Sequence, residues 1–162
     1  MDIYTTIDSP LGEILLAGDG SALTRVSFDV GVPAGWRREP LAFATAERQF
    51  RAYFAGERTS FDLPFVTHGT EFQDRVWAEV AAVPYGTTTT YGAIAARIGA
   101  PRDRIRAVGA AVGANPLLVV RPCHRVVGAD GTLTGYAGGI ERKHELLTLE
   151  GALQPQLWSA VG

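Results

Sequence analysis

A change of local pattern at His68-Gly69 constrains this chain more than any other feature. Before it, residues 1–28 read as antiparallel β. Residues 3–7, 13–17 and 23–28 are strand-like, and Pro10 with Gly12, then Asp19-Gly20, supply the turns. Residues 29–40 read as a loop. Phe43, Ala46, Phe50, Tyr53 and Phe54 recur at helical spacing and predict a helix over 41–55, with an aromatic stripe that belongs to the core. Phe61 to Phe65 reads as an edge strand, because Pro64 has no donor for an interior ladder. After the change, Thr70 and Gln73 form a capping-box pattern. Phe72, Val76, Val80 and Val83 then predict a helix over 71–83. The pattern separates an α/β unit over 1–67, which carries no catalytic constellation and serves as scaffold, from a mostly helical unit over 68–162.

The second unit has a distinctive middle. Thr87 to Thr90 form an extended connector whose last member can cap the next helix. Helices over 91–97 and 103–114, joined by a turn at Gly99-Ala100-Pro101, suggest helix-turn-helix geometry. Asn115-Pro116 ends the second of them. That helix is smoothed by Ala107, Gly109, Ala110, Ala111, Gly113 and Ala114, and each glycine costs it about 1 kcal/mol relative to alanine. It suits either tight helix packing or close approach to a nucleic-acid groove. Residues 117–120 read as a strand that delivers Arg121-Pro122-Cys123-His124-Arg125-Val126. A further strand and turn over 126–131, a glycine-rich loop over 135–139 and a helix over 140–149 complete the unit. Glu150 then lies at the helix end that disfavours a carboxylate, so it needs a cationic or hydrogen-bonding partner.

Cys123 is the only cysteine, and a histidine follows it directly. A lone cysteine can be a small core residue. A thiol beside an imidazole in a basic setting instead favours the nucleophilic thiolate. The setting is basic: residues 97–125 hold six arginines against Asp103 alone, a local charge of +5 within a chain of net charge −2. Residues 1–67 hold nine acids and six arginines, −3, so any surface for polyanions belongs to the second unit. If the backbone is extended at 123–124, the two side chains point to opposite faces. Either the chain turns sharply there or a water carries the proton between them, with Glu150 orienting the imidazole. One cysteine excludes an internal disulfide and a cysteine-based zinc cage, and His68, His124 and His144 show no metal-ligand spacing. The first residues show no secretory pattern, and no apolar run approaches membrane-spanning length. These features predict a cytoplasmic, reducing location.

Pro122-Cys123-His124-Arg125-Val126 resembles the signature of methylated-DNA–protein-cysteine methyltransferases, the O6-alkylguanine-DNA alkyltransferases. Other blocks resemble the family's in the same order: Ser9-Pro10-Leu11-Gly12, Pro84-Tyr85-Gly86, Thr90-Tyr91-Gly92, Arg106-Ala107-Val108-Gly109, Asn115-Pro116, Gly135 to Gly139, and Leu149-Glu150-Gly151. The resemblance implies a ribonuclease-H-like α/β domain followed by a helical domain with a helix-turn-helix. It implies binding of double-stranded DNA bearing O6-alkylguanine through the minor groove, with the damaged base flipped out. Arg106 would fill the vacated stack, Tyr91 would press on the neighbouring phosphate, and Ala107, Gly109 and Ala110 would lie against the groove. Cys123 would take the alkyl group, His124 would take the thiol proton through water, and Glu150 would orient His124. Asn115 would brace the recognition helix, and Tyr136 would donate a hydrogen bond to the base. Main-chain groups of Cys123, Val126 and Ala137 would hold the purine edge. The thioether product implies a protein that acts once, with no metal, nucleotide or methyl-donor cofactor and no obligate protein partner.

The chain departs from the family pattern in places. Ile105 stands where a small residue is common, one extra residue sits within Arg102-Asp103-Arg104, and Arg121 occupies a usually apolar position. Arg121 is expected to add a phosphate contact or to point to solvent. Some relatives carry an N-terminal cysteine-histidine set for zinc, which this chain does not. A lesion-binding relative without transfer is disfavoured by the presence of Cys123. A cysteine hydrolase is disfavoured by the adjacency of Cys123 and His124, and a transcription regulator by the absence of a regulatory domain.

Overall fold

A computed structural model describes residues 2–153. Its first part is a four-stranded mixed sheet in the order β3-β2-β1-β4. Strands β1 (Ile3–Ile7), β2 (Ile14–Gly18) and β3 (Leu23–Ser27) pair antiparallel in sequence. Every residue of β2 is buried, so both faces of the sheet are covered there. Strand β4 (Arg37–Arg38) joins β1 in parallel, inside the segment expected to be a loop. Two exposed arginines carry no apolar signal, but they suit a sheet edge. A 3-10 turn at Pro40–Phe43 leads into α1 (Ala44–Phe54), which buries Ala46, Phe50 and Tyr53.

Helix α2 (Glu71–Ala81) begins with the expected capping box. Thr70 accepts from the Gln73 amide, and the Gln73 side chain accepts from the Thr70 amide. Trp77 on its buried face donates to the Ala111 carbonyl at 2.8 Å. Helices α3 (Tyr91–Arg97) and α4 (Ile105–Gly113) form the helix-turn-helix, with Thr90 capping α3. The expected helix over 103–114 begins as a 3-10 turn at Arg102–Arg104, where the extra residue falls. Strands β5 (Thr89–Thr90) and β6 (Val126–Val127) pair in parallel and tie the cap of α3 to the end of the cysteine segment. Helix α5 (Ile140–Leu149) closes the described part.

Two expected strands are not strands. Residues 61–65 make one parallel bridge, Leu23 to Phe65, and the Pro64 carbonyl accepts where its nitrogen cannot donate. Residues 117–120 make one bridge, Val26 to Leu117, and then reverse. The Val120 amide donates to the Leu118 carbonyl at 2.8 Å and the Arg121 amide to the Leu117 carbonyl at 2.9 Å. Val119 sits at φ 70°, a costly conformation for a β-branched residue. Both bridges lie on the free edge of β3, so the sheet holds the chain at 116–118, just before the cysteine turn.

The capping box gives a direct stability test. Thr70→Ala leaves the Gln73 amide without its partner and should lower the unfolding free energy by about 1 kcal/mol. Denaturant titration measures it; an unchanged midpoint would show that water replaces the cap at no cost.

Candidate active site

Asn115, buried at the end of α4, creates the turn that holds the cysteine. Its Oδ1 accepts from the Leu117 amide at 3.0 Å, which starts an Asx-type turn. Its Nδ2 donates to the carbonyls of Arg121 (3.0 Å) and Leu117 (3.3 Å). The Cys123 amide then donates to the Arg121 carbonyl at 2.7 Å, and Cys123–Arg125 forms a 3-10 turn closed by the Val126 amide on the Cys123 carbonyl. The backbone therefore turns at the site and does not extend. Cys123 is 4% exposed and His124 is fully enclosed.

The second half of the site is a carboxylate. Glu150, at the C-terminal cap of α5, accepts four hydrogen bonds. Arg125 gives two, Nε to Oε1 at 2.8 Å and Nη2 to Oε2 at 3.0 Å. His124 Nε2 lies 2.8 Å from Oε2, and the Tyr53 hydroxyl donates to the same oxygen at 2.6 Å. Burial disfavours the anion, but the His124 and Arg125 bonds outweigh it and hold the carboxyl at about 2. Glu150 is thus ionised and can only accept. That fixes the proton of neutral His124 on Nε2 and leaves Nδ1 with a lone pair. Among the described residues, Nδ1 has no partner. Burial also holds His124 below its ordinary value, so the ring stays neutral and basic at Nδ1.

The thiol differs from its expected state. Burial pushes Cys123 up to about 11, and Asn115, Lys143 and Arg121 only partly offset this. Desolvation outweighs the basic surroundings, so the resting group is a thiol and a base must remove its proton. Tyr136 stands edge-on to His124, ring centroids 6.4 Å apart, and its buried hydroxyl has no partner among the described residues. Two unpaired polar atoms on adjacent rings cost stability, and such groups mark chemistry.

Arg121 does not point to solvent; its guanidinium is taken up inside the protein. It is 8% exposed, donates to Asn115 Oδ1 (3.3 Å) and Thr67 Oγ1 (3.2 Å), and lies over the Trp77 and Phe65 rings. It spans the His68-Gly69 boundary and braces the Asn115 turn. Lys143, the chain's only lysine among fourteen arginines, was not singled out by the sequence pattern. Fully buried, it donates to the carbonyls of Val126 (2.6 Å) and Thr134 (2.7 Å), and burial lowers it to about 8. Its uniqueness was the available signal. Tyr53 and Arg125 were likewise missed as partners of Glu150. The carbonyl of Val126 is thus engaged by Lys143. Exposed Ala137, with Asn115, Leu118, Trp36 and Arg25, lines a cleft of about 430 Å³ that Cys123 does not line.

The helix-turn-helix residues lie apart from this buried cluster. Tyr91 is half-buried, and its hydroxyl accepts from Thr134 at 3.2 Å. Arg106 is exposed and, among the described residues, makes no hydrogen bond or ion pair. Val108, Ala111 and Val112 face inward on α4; Arg106, Ala110 and Gly113 face outward, and Ala107 and Gly109 are half-buried. A Cβ on Gly113 would meet nothing, and one on Gly109 only an ordinary contact at 3.9 Å to Tyr91. Internal packing therefore does not demand glycine at either place.

The chain matches two family models: residues 3–67 the ribonuclease-like domain, and residues 71–152 the DNA-binding domain, of 6-O-methylguanine DNA methyltransferase. It is 51% identical to a Mycobacterium tuberculosis methylated-DNA–protein-cysteine methyltransferase over 156 residues, 94% of each chain. It is 49% identical to one from Methanosarcina acetivorans, covering 92% of this chain and 98% of the other. Its fold is similar to the crystal structure of the M. tuberculosis O6-methylguanine methyltransferase (TM-score 0.87, 48% identity, all of both chains). It is equally similar to the M. tuberculosis protein in complex with DNA (TM-score 0.87, 48% identity, 99% of both chains).

The buried pair makes the fold acid-sensitive. Below about pH 6.5 the unfolded chain takes up the His124 proton more readily than the folded one, so stability falls with pH. Glu150 contributes above its ordinary value near 4.5, and that contribution is lost as pH drops toward about 2. Glu150→Gln should cost about 3–5 kcal/mol at pH 7, since it strands Arg125, and should flatten the dependence below pH 4.5. Urea unfolding at pH 7, 5.5 and 4 measures both; parallel curves for the two proteins would refute the assignment.

Proposed function

The chain belongs to the methylated-DNA–protein-cysteine methyltransferase family, and on that premise we propose how its residues divide the repair reaction. The protein removes an alkyl group from O6-alkylguanine in DNA and keeps it on Cys123. Residues 1–67 form the scaffold and residues 68–162 bind DNA and carry the chemistry. One observation supports this most: the residue that follows the enclosed thiol is a neutral imidazole whose Nε2 is held by an ionised carboxylate and whose Nδ1 has no partner among the described residues.

The thiol proton passes through a water to His124 Nδ1, and the imidazolium that forms is stabilised by Glu150. The sulfur attacks the alkyl carbon, the carbon–O6 bond breaks, and its electron pair goes to the guanine. Tyr136 donates its unpaired hydroxyl to the base as negative charge develops there. Main-chain groups of Cys123, Val126 and Ala137 hold the purine edge, which requires the Val126 carbonyl to accept with the lone pair that Lys143 leaves free and Ala137 to close toward the cysteine turn. The product is a thioether, a poor leaving group with no second nucleophile at the site among the described residues to release it, so each molecule reacts once. Asn115 holds the cysteine turn against α4, so docking of α4 and placement of the sulfur are one event.

On the DNA side, the open outer face of α4 supports close approach of Ala107, Gly109 and Ala110 to the minor groove. Arg106, unpaired at the start of α4, fills the space of the flipped base, and Tyr91 presses on the adjacent phosphate. No helix among the described residues is long and apolar enough to cross a membrane. A cytoplasmic, reducing location suits a free thiol that must stay reduced.

Incubation with a duplex carrying O6-methylguanine should add one methylene mass to Cys123, stoichiometrically and without turnover. Cys123→Ala should bind the duplex and gain nothing. Intact-mass measurement decides; binding by the unmodified chain without mass gain would sink the reading. Arg106→Ala should slow transfer from duplex roughly tenfold, equivalent to about 1.4 kcal/mol on the barrier. Reactivity toward the free base should be largely kept, and single-turnover rates on both substrates would expose an equal loss.

A further inference from the structure

Helix α1 contributes one polar atom, the Tyr53 hydroxyl, to the bonds on Glu150. Tyr53, on α1, is 1% exposed, and its ring packs among Phe54, Phe61 and Tyr85. Its hydroxyl points away from that aromatic cluster and donates to Glu150 Oε2 at 2.6 Å, across 97 residues of sequence. The acceptor is the same oxygen that holds His124 Nε2 at 2.8 Å. Packing alone would be served by phenylalanine, as at Phe50 and Phe54 on the same helix.

We propose that Tyr53 is a positioning residue for alkyl transfer: by sharing Glu150 Oε2 with His124, it sets how strongly the carboxylate draws the imidazole proton. The inference rests on the reading that His124 takes the Cys123 proton. Three donors converge on Oε2: Tyr53, His124 and Arg125 Nη2. Each bond to a carboxylate oxygen spreads part of its charge and leaves less for the others. Arg125 is also fixed by the Val83 carbonyl at 2.7 Å, so it cannot move to take up a vacated share. Loss of the tyrosine hydroxyl therefore shifts carboxylate charge toward His124.

The charged and titratable groups facing His124 are few and come from every packed element. Tyr53 reaches it through Glu150 from α1, and Tyr85, over whose ring Arg125 lies, follows α2. Cys123 and Arg125 flank it in its own turn, Tyr136 comes from the 135–139 loop, and Lys143 and Glu150 come from α5 and its cap. Of these, only Tyr53 can lose its contact with Glu150 by removal of one oxygen with the ring left in place. A more charged Oε2 stabilises the imidazolium, so His124 becomes more basic.

The test is the pH dependence of single-turnover methyl transfer from a duplex carrying O6-methylguanine. Its acid limb reports the base of the free protein. In Tyr53→Phe the limb should move to higher pH by about half a unit or more. Ring-nitrogen NMR of His124 should give the same shift without DNA. Phe50→Leu loosens the same aromatic cluster but keeps the hydroxyl. It should lower the melting temperature and leave the limb in place. An unmoved limb in Tyr53→Phe, or an equal shift in Phe50→Leu, would overturn the role. If the unmodified chain takes up no methyl group, the underlying reading fails and this inference falls with it; transfer with an unmoved limb refutes this inference alone.

Discussion

Four hydrogen bonds converge on one buried carboxylate, and the site depends on it. Glu150 sits where a helix dipole opposes it and where burial opposes any charge. It stays ionised only because Arg125, His124 and Tyr53 are already placed around it. Those partners come from the cysteine turn and from α1. The fourth of these bonds, from Tyr53, therefore forms only once the first part of the chain is docked on the last helix. The proton state of His124 follows from the same assembly. An ionised acceptor at Nε2 leaves Nδ1 as the base, and no local feature of the cysteine segment could fix that choice.

Asn115 and Arg121 do for the backbone what Glu150 does for the imidazole. The apolar run 117–120 has the composition of a strand, and one bridge to Val26 begins as one. Asn115 then takes both the amide and the carbonyl of Leu117 and the carbonyl of Arg121, and the chain reverses through Val119 at φ 70°. Short apolar runs cannot be told apart by periodicity, and the deciding Asx turn is a side-chain bond. The fold was legible where long periodic segments or caps spoke, at α1, the Thr70 box and α5. It was not legible at 61–65 and 117–120, where single bridges replace ladders. Arg121 shows the same limit. A charged residue in an apolar setting reads as exposed, yet two rings, a threonine and Asn115 give it a buried seat.

The residues of the site were visible as types but not as partners. Cys123, His124 and Glu150 could be named from the motif and the helix end. Tyr53 was read as core because its spacing on α1 is that of a packing stripe, and its ring does pack there. Its hydroxyl has no periodicity to betray it. Lys143 lies on the buried face of a polar helix, where spacing predicts an apolar residue. It is tolerated because its ammonium meets two carbonyls, those of Val126 and Thr134. Both residues are invisible to pattern for the same reason: each has an apolar body that satisfies the pattern and a polar tip that does not enter it.

The resting thiol is the feature that a single-use mechanism makes intelligible. A cysteine held as thiolate at neutral pH would react with any small electrophile or oxidant that reached it, and each such event would consume one protein molecule. Burial pushes Cys123 to about 11 and leaves it 4% exposed, so thiolate is scarce and access is closed. The base that could ionise it, His124, is itself sealed and kept neutral. On the proposed reading, proton removal becomes favourable only when an alkylated base fills the site, supplies the electrophile and gives an acceptor to the Tyr136 hydroxyl, which has no partner among the described residues. The Tyr136 oxygen and the His124 nitrogen, both without partners among the described residues, cost stability in the free protein. That cost is the difference between a reactive cysteine and one whose reactivity waits for its substrate.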